Sequence, residues 1–257
     1  MLLAIDMGNT QTALGLFEGD ELRLSWRMPT DRSFTADELH VRLLGYFRMY
    51  GMTLDCVDAV AFAGVVPELS RAWRRVAERI AASIVTVGRE TAAVTRVRAE
   101  NPAEVGADRV ANATAAATFY GAPAIVVDFG TATNIDVVDA EGYYIGGAIA
   151  PGLRISMDAL TARAARLSSV PLEAPEHAIG VNTVEAVQSG AVLGTAAMAE
   201  GLVARIRREL GDPRAQVIAT GGLAGVIAGS TDVFDVVDGQ LTLKGIREIY
   251  RRMQEQG

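Results

Sequence analysis

Short β-branched runs alternate along the chain with longer stretches whose apolar residues recur every three or four positions. Leu2–Asp6 and Thr12–Phe17 read as strands joined by a tight Gly-Asn turn, with Glu21–Met28 as a third strand. An amphipathic helix is expected over about Thr35 to Tyr50, a buried strand over Val57–Ala63, and a helix over Pro67–Ala82 with proline near its first turn. Ile84–Val87 is another strand, and Ala107–Tyr120 carries an alanine-rich helical pattern. After Gly121-Ala122-Pro123 the theme restarts with strands at Ala124–Asp128, Thr133–Asp139 and Tyr143–Ala148. Helices follow over about Leu153–Leu167 and Thr183–Leu210, then a strand at Gln216–Thr220, a helix after Gly222 and a terminal helix from Leu241. This alternation indicates an α/β fold.

One internal repeat sharpens that expectation. Ile5-Asp6-Met7-Gly8-Asn9-Thr10 and Val127-Asp128-Phe129-Gly130-Thr131-Ala132 share one local context: an apolar strand ends in Asp-x-Gly, turns, continues as a strand, and turns again at Gly19 or Gly142. The copies stand close to half the chain apart. A single repeat at that spacing, unlike the shorter periods of solenoids, announces two similar domains facing one another. The expected division is 1–118 and 119–257.

Composition narrows the chemistry. The 257 residues are 50% hydrophobic and 21% charged, enough for one large unit or for two domains of about 100–150 residues each. The net charge of −7 argues against nucleic acid as the main partner, because phosphate backbones need a basic footprint. Lys244 is the only lysine, which rules out a phosphate-binding lysine after a glycine-rich loop. One cysteine, Cys56, and two distant histidines, His40 and His177, leave no thiolate or imidazole cluster for zinc. The run Met1–Ile5 is too short for a signal peptide, and no apolar run reaches the roughly 20 residues of a membrane span. The expectation is a soluble, cytoplasmic protein without a membrane partner.

A glycine at each strand-to-strand turn lets backbone N–H groups approach an anion closely, and Thr10 or Thr131 adds a neutral donor. Asp6 and Asp128 cannot bind phosphate directly, but a carboxylate there can hold a cation that bridges phosphate oxygens. Two such turns on opposed domains would grip a triphosphate in the cleft between them, a division of labour suited to phosphoryl transfer. A third junction, Thr220-Gly221-Gly222, is expected either at the adenosine end of the nucleotide or as a plain strand-to-helix turn. Gly146 through Gly152 reads as a chain reversal, and Asp136 as an exposed strand residue.

Asn101-Pro102-Ala103-Glu104-Val105-Gly106-Ala107-Asp108-Arg109 is the most unusual polar stretch. It puts Asp108 and Arg109 in the first turn of a helix, near unpaired N–H groups. An aspartate there can accept the proton of a hydroxyl attacking a γ-phosphoryl group, and the arginine can bind an anionic substrate. As a bare pattern, Asp-Arg at a helix start also fits a cap with a surface ion pair.

The ordered motifs Asp6 through Thr10, Glu104 through Arg109, Val127 through Thr133, Gly146 through Gly152, Gly180-Val181-Asn182-Thr183 and Thr220 through Gly222 resemble those of type III pantothenate kinases. The resemblance implies two ribonuclease H-like domains of the actin, heat-shock chaperone and sugar kinase superfamily. It implies ATP-dependent phosphorylation of pantothenate to 4′-phosphopantothenate, the first step of coenzyme A synthesis. On matching positions it implies an ATP-phosphate turn from Asp6, Met7, Gly8, Asn9, Thr10, Gln11, Thr12 and Ala13, with Thr131 contacting ATP from the second turn. Asp108 would be the general base, Gly106, Ala107, Arg109 and Thr183 would line the pantothenate pocket with it, and Asp128 would bind a monovalent cation, potassium or ammonium. Magnesium would arrive with ATP, and the protein would be a homodimer, with the helix from Thr183 as interface or domain core.

Three positions depart from the family pattern. Ala99 stands where a tyrosine is usual, Val181 where a lysine is common, and Ser168 where a proline is common. Losing an aromatic contact costs about 1–3 kcal/mol, which keeps two alternatives open: a non-catalytic nucleotide-binding regulator, or a kinase of another small hydroxylated metabolite.

Overall fold

The computed structural model describes residues 1–64, 67–163 and 170–256. The chain forms two compact units, Met1–Ala115 with Leu241–Gly257, and Ala116–Gln240.

The first unit is built on strands β1 (Leu2–Met7), β2 (Gln11–Glu18), β3 (Glu21–Pro29), β4 (Ala59–Gly64) and β5 (Ser83–Thr86). Their order is β3-β2-β1-β4-β5; the hairpins β1–β2 and β2–β3 are antiparallel, and β1–β4 and β4–β5 are parallel. Successive side chains of β1 point to opposite faces. Leu3, Ile5 and Met7 meet helices α1 (Ala36–Met49) and α2 (Pro67–Ile80) through Leu39, Leu43, Phe47, Trp73 and Val76. Thr35 starts α1 with a reciprocal cap: its hydroxyl accepts from the Glu38 N–H, and the Glu38 carboxylate accepts from the Thr35 N–H. Leu2 and Ala4 meet α3 (Ala107–Phe119) and α8 (Leu241–Gln256), through Val110, Ala111, Leu243, Ile246 and Ile249.

The terminal helix thus packs on the first sheet, whereas the expected division gave 119–257 to one domain. Its apolar stripe explains the difference, since Leu243, Ile246 and Ile249 complete the cluster around Ala4 and Ala61. Gly245 permits the crossing: a Cβ there would stand 1.9 Å from the Ala111 carbonyl oxygen.

The second unit repeats the plan with β6 (Ala124–Phe129), β7 (Ala132–Val138), β8 (Tyr144–Pro151), β9 (Gln216–Thr220) and β10 (Val236–Val237). Read from β8, the order β8-β7-β6-β9-β10 reproduces β3-β2-β1-β4-β5, with the same antiparallel and parallel pairings. β1 and β6 also share one burial pattern: the aspartate is half-exposed and every other residue is buried. Ile125, Val127 and Phe129 pack against α4 (Leu153–Arg163), α6 (Gly194–Leu210) and α7 (Ala224–Ala228).

Several expectations change here. The helix from Thr183 comprises α5 (Thr183–Gln188), one π-helical turn over Ser189–Leu193, and α6, whose Ala196, Ala199 and Val203 are domain core. Gly146 to Pro151 continues β8 rather than reversing the chain. Gly147 is required there because a Cβ would stand 1.7 Å from the Ile135 carbonyl oxygen. Asp136 is fully buried rather than exposed, on β7 between Val126 of β6 and Gly147 of β8. The expected helix beyond Arg163, and Ser168, fall outside the described residues.

Candidate active site

The first Asp-x-Gly turn leaves β1 with Asp6 on the same face as Leu2 and Ala4, opposite Ala13 on β2 and beside Ala63 on β4. Gly8 donates its N–H to the Gln11 carbonyl, 3.1 Å away, and Asn9, Thr10 and Gln11 form an exposed tip. Thr30, immediately after β3, braces the turn. Its N–H donates to the Thr10 carbonyl at 2.9 Å and its hydroxyl to the Gly8 carbonyl at 2.8 Å. The buried Thr12 hydroxyl lies 2.9 Å from the Thr30 hydroxyl.

The polar stretch before α3 belongs to the same unit and the same sheet face. Val105 and Ala107 pack on the cluster that holds Ala4, Ala61 and Ala63, as does Ala13 from the turn. Asp108 stands in the first turn of α3, half-exposed, and its carboxylate accepts from the Arg109 N–H at 2.9 Å. Gly106 leaves room for that carboxylate: a Cβ there would stand 2.5 Å from Asp108 Oδ1. Asp6, Ala13 and the Gly106–Arg109 segment therefore share one face of the first unit.

Asp128, Thr131 and Thr183 belong to the second unit. Asp128 pairs with Asn134 on β7 and Thr220 on β9. The turn after it is one residue shorter than the first, with the Gly130 N–H donating to the Ala132 carbonyl at 3.0 Å. Two glycines close on it. Gly221, with φ +92°, lies where a Cβ would be 2.4 Å from Asp128 Oδ1, and a Cβ on Gly152 would be 2.2 Å from the Thr131 carbonyl oxygen. Gly221 thus abuts the carboxylate assigned to a cation, a role its motif alone does not announce. The hard-oxygen carboxylate, with the space that a Cβ at Gly221 would fill, fits a hard cation. Among the described residues no cluster of three or more acidic, histidine or cysteine side chains forms a metal site.

Thr183 begins α5. Asn182 caps that helix, its side-chain oxygen accepting from the Glu185 N–H at 3.0 Å, and the Glu185 carboxylate accepts from the Val181 N–H at 3.0 Å. Thr183 lines a cavity of about 800 Å³ with Met157 and Leu160 of α4, Val181, and Gly190 and Ala191 of the π-helical turn. No helix among the described residues is long and apolar enough to cross a membrane.

Duplicated five-stranded sheets with Asp-x-Gly turns define the actin, heat-shock chaperone and sugar kinase class, and known structures agree. A Campylobacter jejuni protein described as a Baf family transcriptional activator superposes with a TM-score of 0.63 at 16% identity, covering 98% of this chain and 99% of its own. Component A of the (R)-2-hydroxyglutaryl-CoA dehydratase of Acidaminococcus fermentans gives 0.59 at 13% identity, covering 100% and 99%. Sequence similarity is narrower. The family model for type III pantothenate kinase matches residues 2–205, and a type III pantothenate kinase of Thermomicrobium roseum is 50% identical over 255 residues, 98% of each chain. The chain belongs to the type III pantothenate kinase family.

Proposed function

We propose that this protein transfers the γ-phosphoryl group of ATP to the primary hydroxyl of pantothenate, giving ADP and 4′-phosphopantothenate at the head of coenzyme A synthesis. The observation that carries this reading is the match to the family over residues 2–205 and to a relative over 98% of the chain, with Asp6, Asp108 and Asp128 all present. Asp108 acts as general base, taking the hydroxyl proton as that oxygen attacks the γ-phosphorus and ADP leaves. Its setting supports the role, because Gly106 keeps a side chain out of the space beside the carboxylate.

Gly106, Ala107, Arg109 and Thr183 bind pantothenate, with Arg109 taking its carboxylate as a charge-assisted pair. Asp6 through Ala13 and Thr131 bind the phosphates of ATP. Asp128 would hold potassium or ammonium, which would supply positive charge to the site, and magnesium would enter with ATP. The protein works in the cytoplasm as a homodimer. Exposed Ile149, Ile155, Leu160, Val181 and Val184 of the second unit supply apolar surface of the kind a dimer covers.

An ADP-release assay with ATP, magnesium, potassium and pantothenate tests this, run beside a panel of other small hydroxylated acids and sugars. Pantothenate turnover is expected, falling about 10²- to 10⁴-fold in Asp108→Asn. Absence of turnover, an unchanged rate in that variant, or preference for another alcohol would sink it.

A further inference from the structure

We infer that Thr30, which lies outside both Asp-x-Gly motifs, is the positioning residue that presets the first phosphate-binding turn. The inference rests on the reading of Asp6 through Ala13 as that turn. In a trans peptide the C=O and N–H point in opposite directions. Thr30 binds two carbonyls of the turn, that of Gly8 through its hydroxyl and that of Thr10 through its N–H. The N–H groups sharing those peptide planes belong to Asn9 and Gln11, and each is therefore directed away from Thr30. Two donors of the exposed tip are fixed before any anion arrives, which is what an anion-binding nest requires.

A relay stabilises the arrangement. The Thr30 hydroxyl spends its one proton on the Gly8 carbonyl, so the contact with Thr12 must run from the Thr12 hydroxyl to the Thr30 oxygen. Each bond in such a chain polarises the next. The second copy is an internal control. The pairings Gln11–Pro29 and Ala132–Pro151 make Thr30 the counterpart of Gly152, and Met7–Thr12 and Phe129–Thr133 make Thr12 the counterpart of Thr133. With glycine in place of Thr30, the Thr133 hydroxyl is buried and has no hydrogen-bond partner. The relay exists only where both of its members do.

The test measures binding of a non-hydrolysable ATP analogue and of adenosine to the full-length wild type, Thr30→Val and Thr30→Ser by calorimetry. Thr30→Val is expected to weaken the analogue about tenfold while changing adenosine affinity less than about twofold, and Thr30→Ser to bind within about twofold of wild type. The KM for pantothenate stays unchanged. Should the valine variant fail to fold, Thr30→Ala keeps the backbone bond, drops the hydroxyl and carries the same expectation. Wild-type affinity for the analogue in the valine or alanine variant overturns the inference, as does equal loss of analogue and adenosine, or a serine variant no better than valine. A wild type that binds the analogue without phosphorylating pantothenate would remove the substrate assignment alone.

Discussion

The two halves share topology, strand register and the burial of their aspartates, yet their turns are held by opposite means. The first is longer and is tied by hydrogen bonds from Thr30 to the Gly8 and Thr10 carbonyls. The second is shorter and confined by close backbone approach, with Gly152 against Thr131 and Gly221 against Asp128. Duplication supplied one scaffold, and each copy then stabilised its turn with what its third strand offered at the end, Pro29-Thr30 or Pro151-Gly152. A turn braced by side-chain bonds keeps its geometry while leaving an exposed tip, whereas one braced by contact tolerates no added atom.

The largest test of that contrast is Gly152→Ala. Its Cβ would overlap carbonyl oxygens of Thr131 and Gly130 at 2.2 and 2.7 Å, so the turn must shift. The expected cost is about 3 kcal/mol. With Asp128 holding potassium as proposed, a thermal upshift in KCl over choline chloride is expected in wild type and should be lost in this variant. Alanine at Gly152 with unchanged melting and cation response would break the contrast at its second half.

A second difference lies in what holds each sheet from behind. In the first unit α8 buries Glu248 among Arg251 and Arg252, with bonds of 2.8 Å from Arg251 Nη2 and from Arg252 Nε. Burial by itself would raise this carboxyl, but the hydrogen bonds and charges of the two arginines outweigh it and hold it below its ordinary value. A depressed folded pKa stabilises the protein above the unfolded carboxyl range, and the contribution is lost as pH falls through the folded value. As pH falls from neutral through the ordinary carboxyl range toward the folded value, exchange protection of α8 should therefore decline in wild type. Glu248→Gln should start lower and respond less to acid. Hydrogen exchange resolved by peptide checks both, and equal slopes in the two proteins would exclude the mechanism.

Much of this was legible in the sequence, and the exceptions have physical causes. The Asp-x-Gly repeat announced the duplicated fold because glycine and aspartate mark a turn wherever they fall at a strand end. The apolar stripe of α8 announced an amphipathic helix, but a stripe does not say which sheet it covers. The π-helical turn at Ser189–Leu193 stayed hidden because one extra residue barely disturbs the apolar spacing. Gly146 through Pro151 looked like a turn from its glycines and proline, whereas Gly147 is there because the Ile135 carbonyl leaves no room. Thr30 was invisible for a different reason: it acts across a strand pair, and only register shows that Met28-Pro29-Thr30 and Ala150-Pro151-Gly152 occupy equivalent positions in the two copies.

The smallest effects discriminate best. Thr12→Val removes a buried hydroxyl that donates to Thr30, and is expected to cost about 1 kcal/mol. Thr133→Val makes the same chemical change at the equivalent position of the second copy, where the hydroxyl is just as buried but has no partner. A buried hydroxyl without a hydrogen bond is itself unfavourable, so exchanging it for a methyl group should leave stability unchanged or raise it by up to about 1 kcal/mol. The opposite signs matter more than the sizes, because volume and burial are matched and only the hydrogen bond differs. Denaturant unfolding of both variants decides it. A loss of about 1 kcal/mol in Thr133→Val would mean that the second turn also recruits its threonine in solution, and the two copies would then be braced alike.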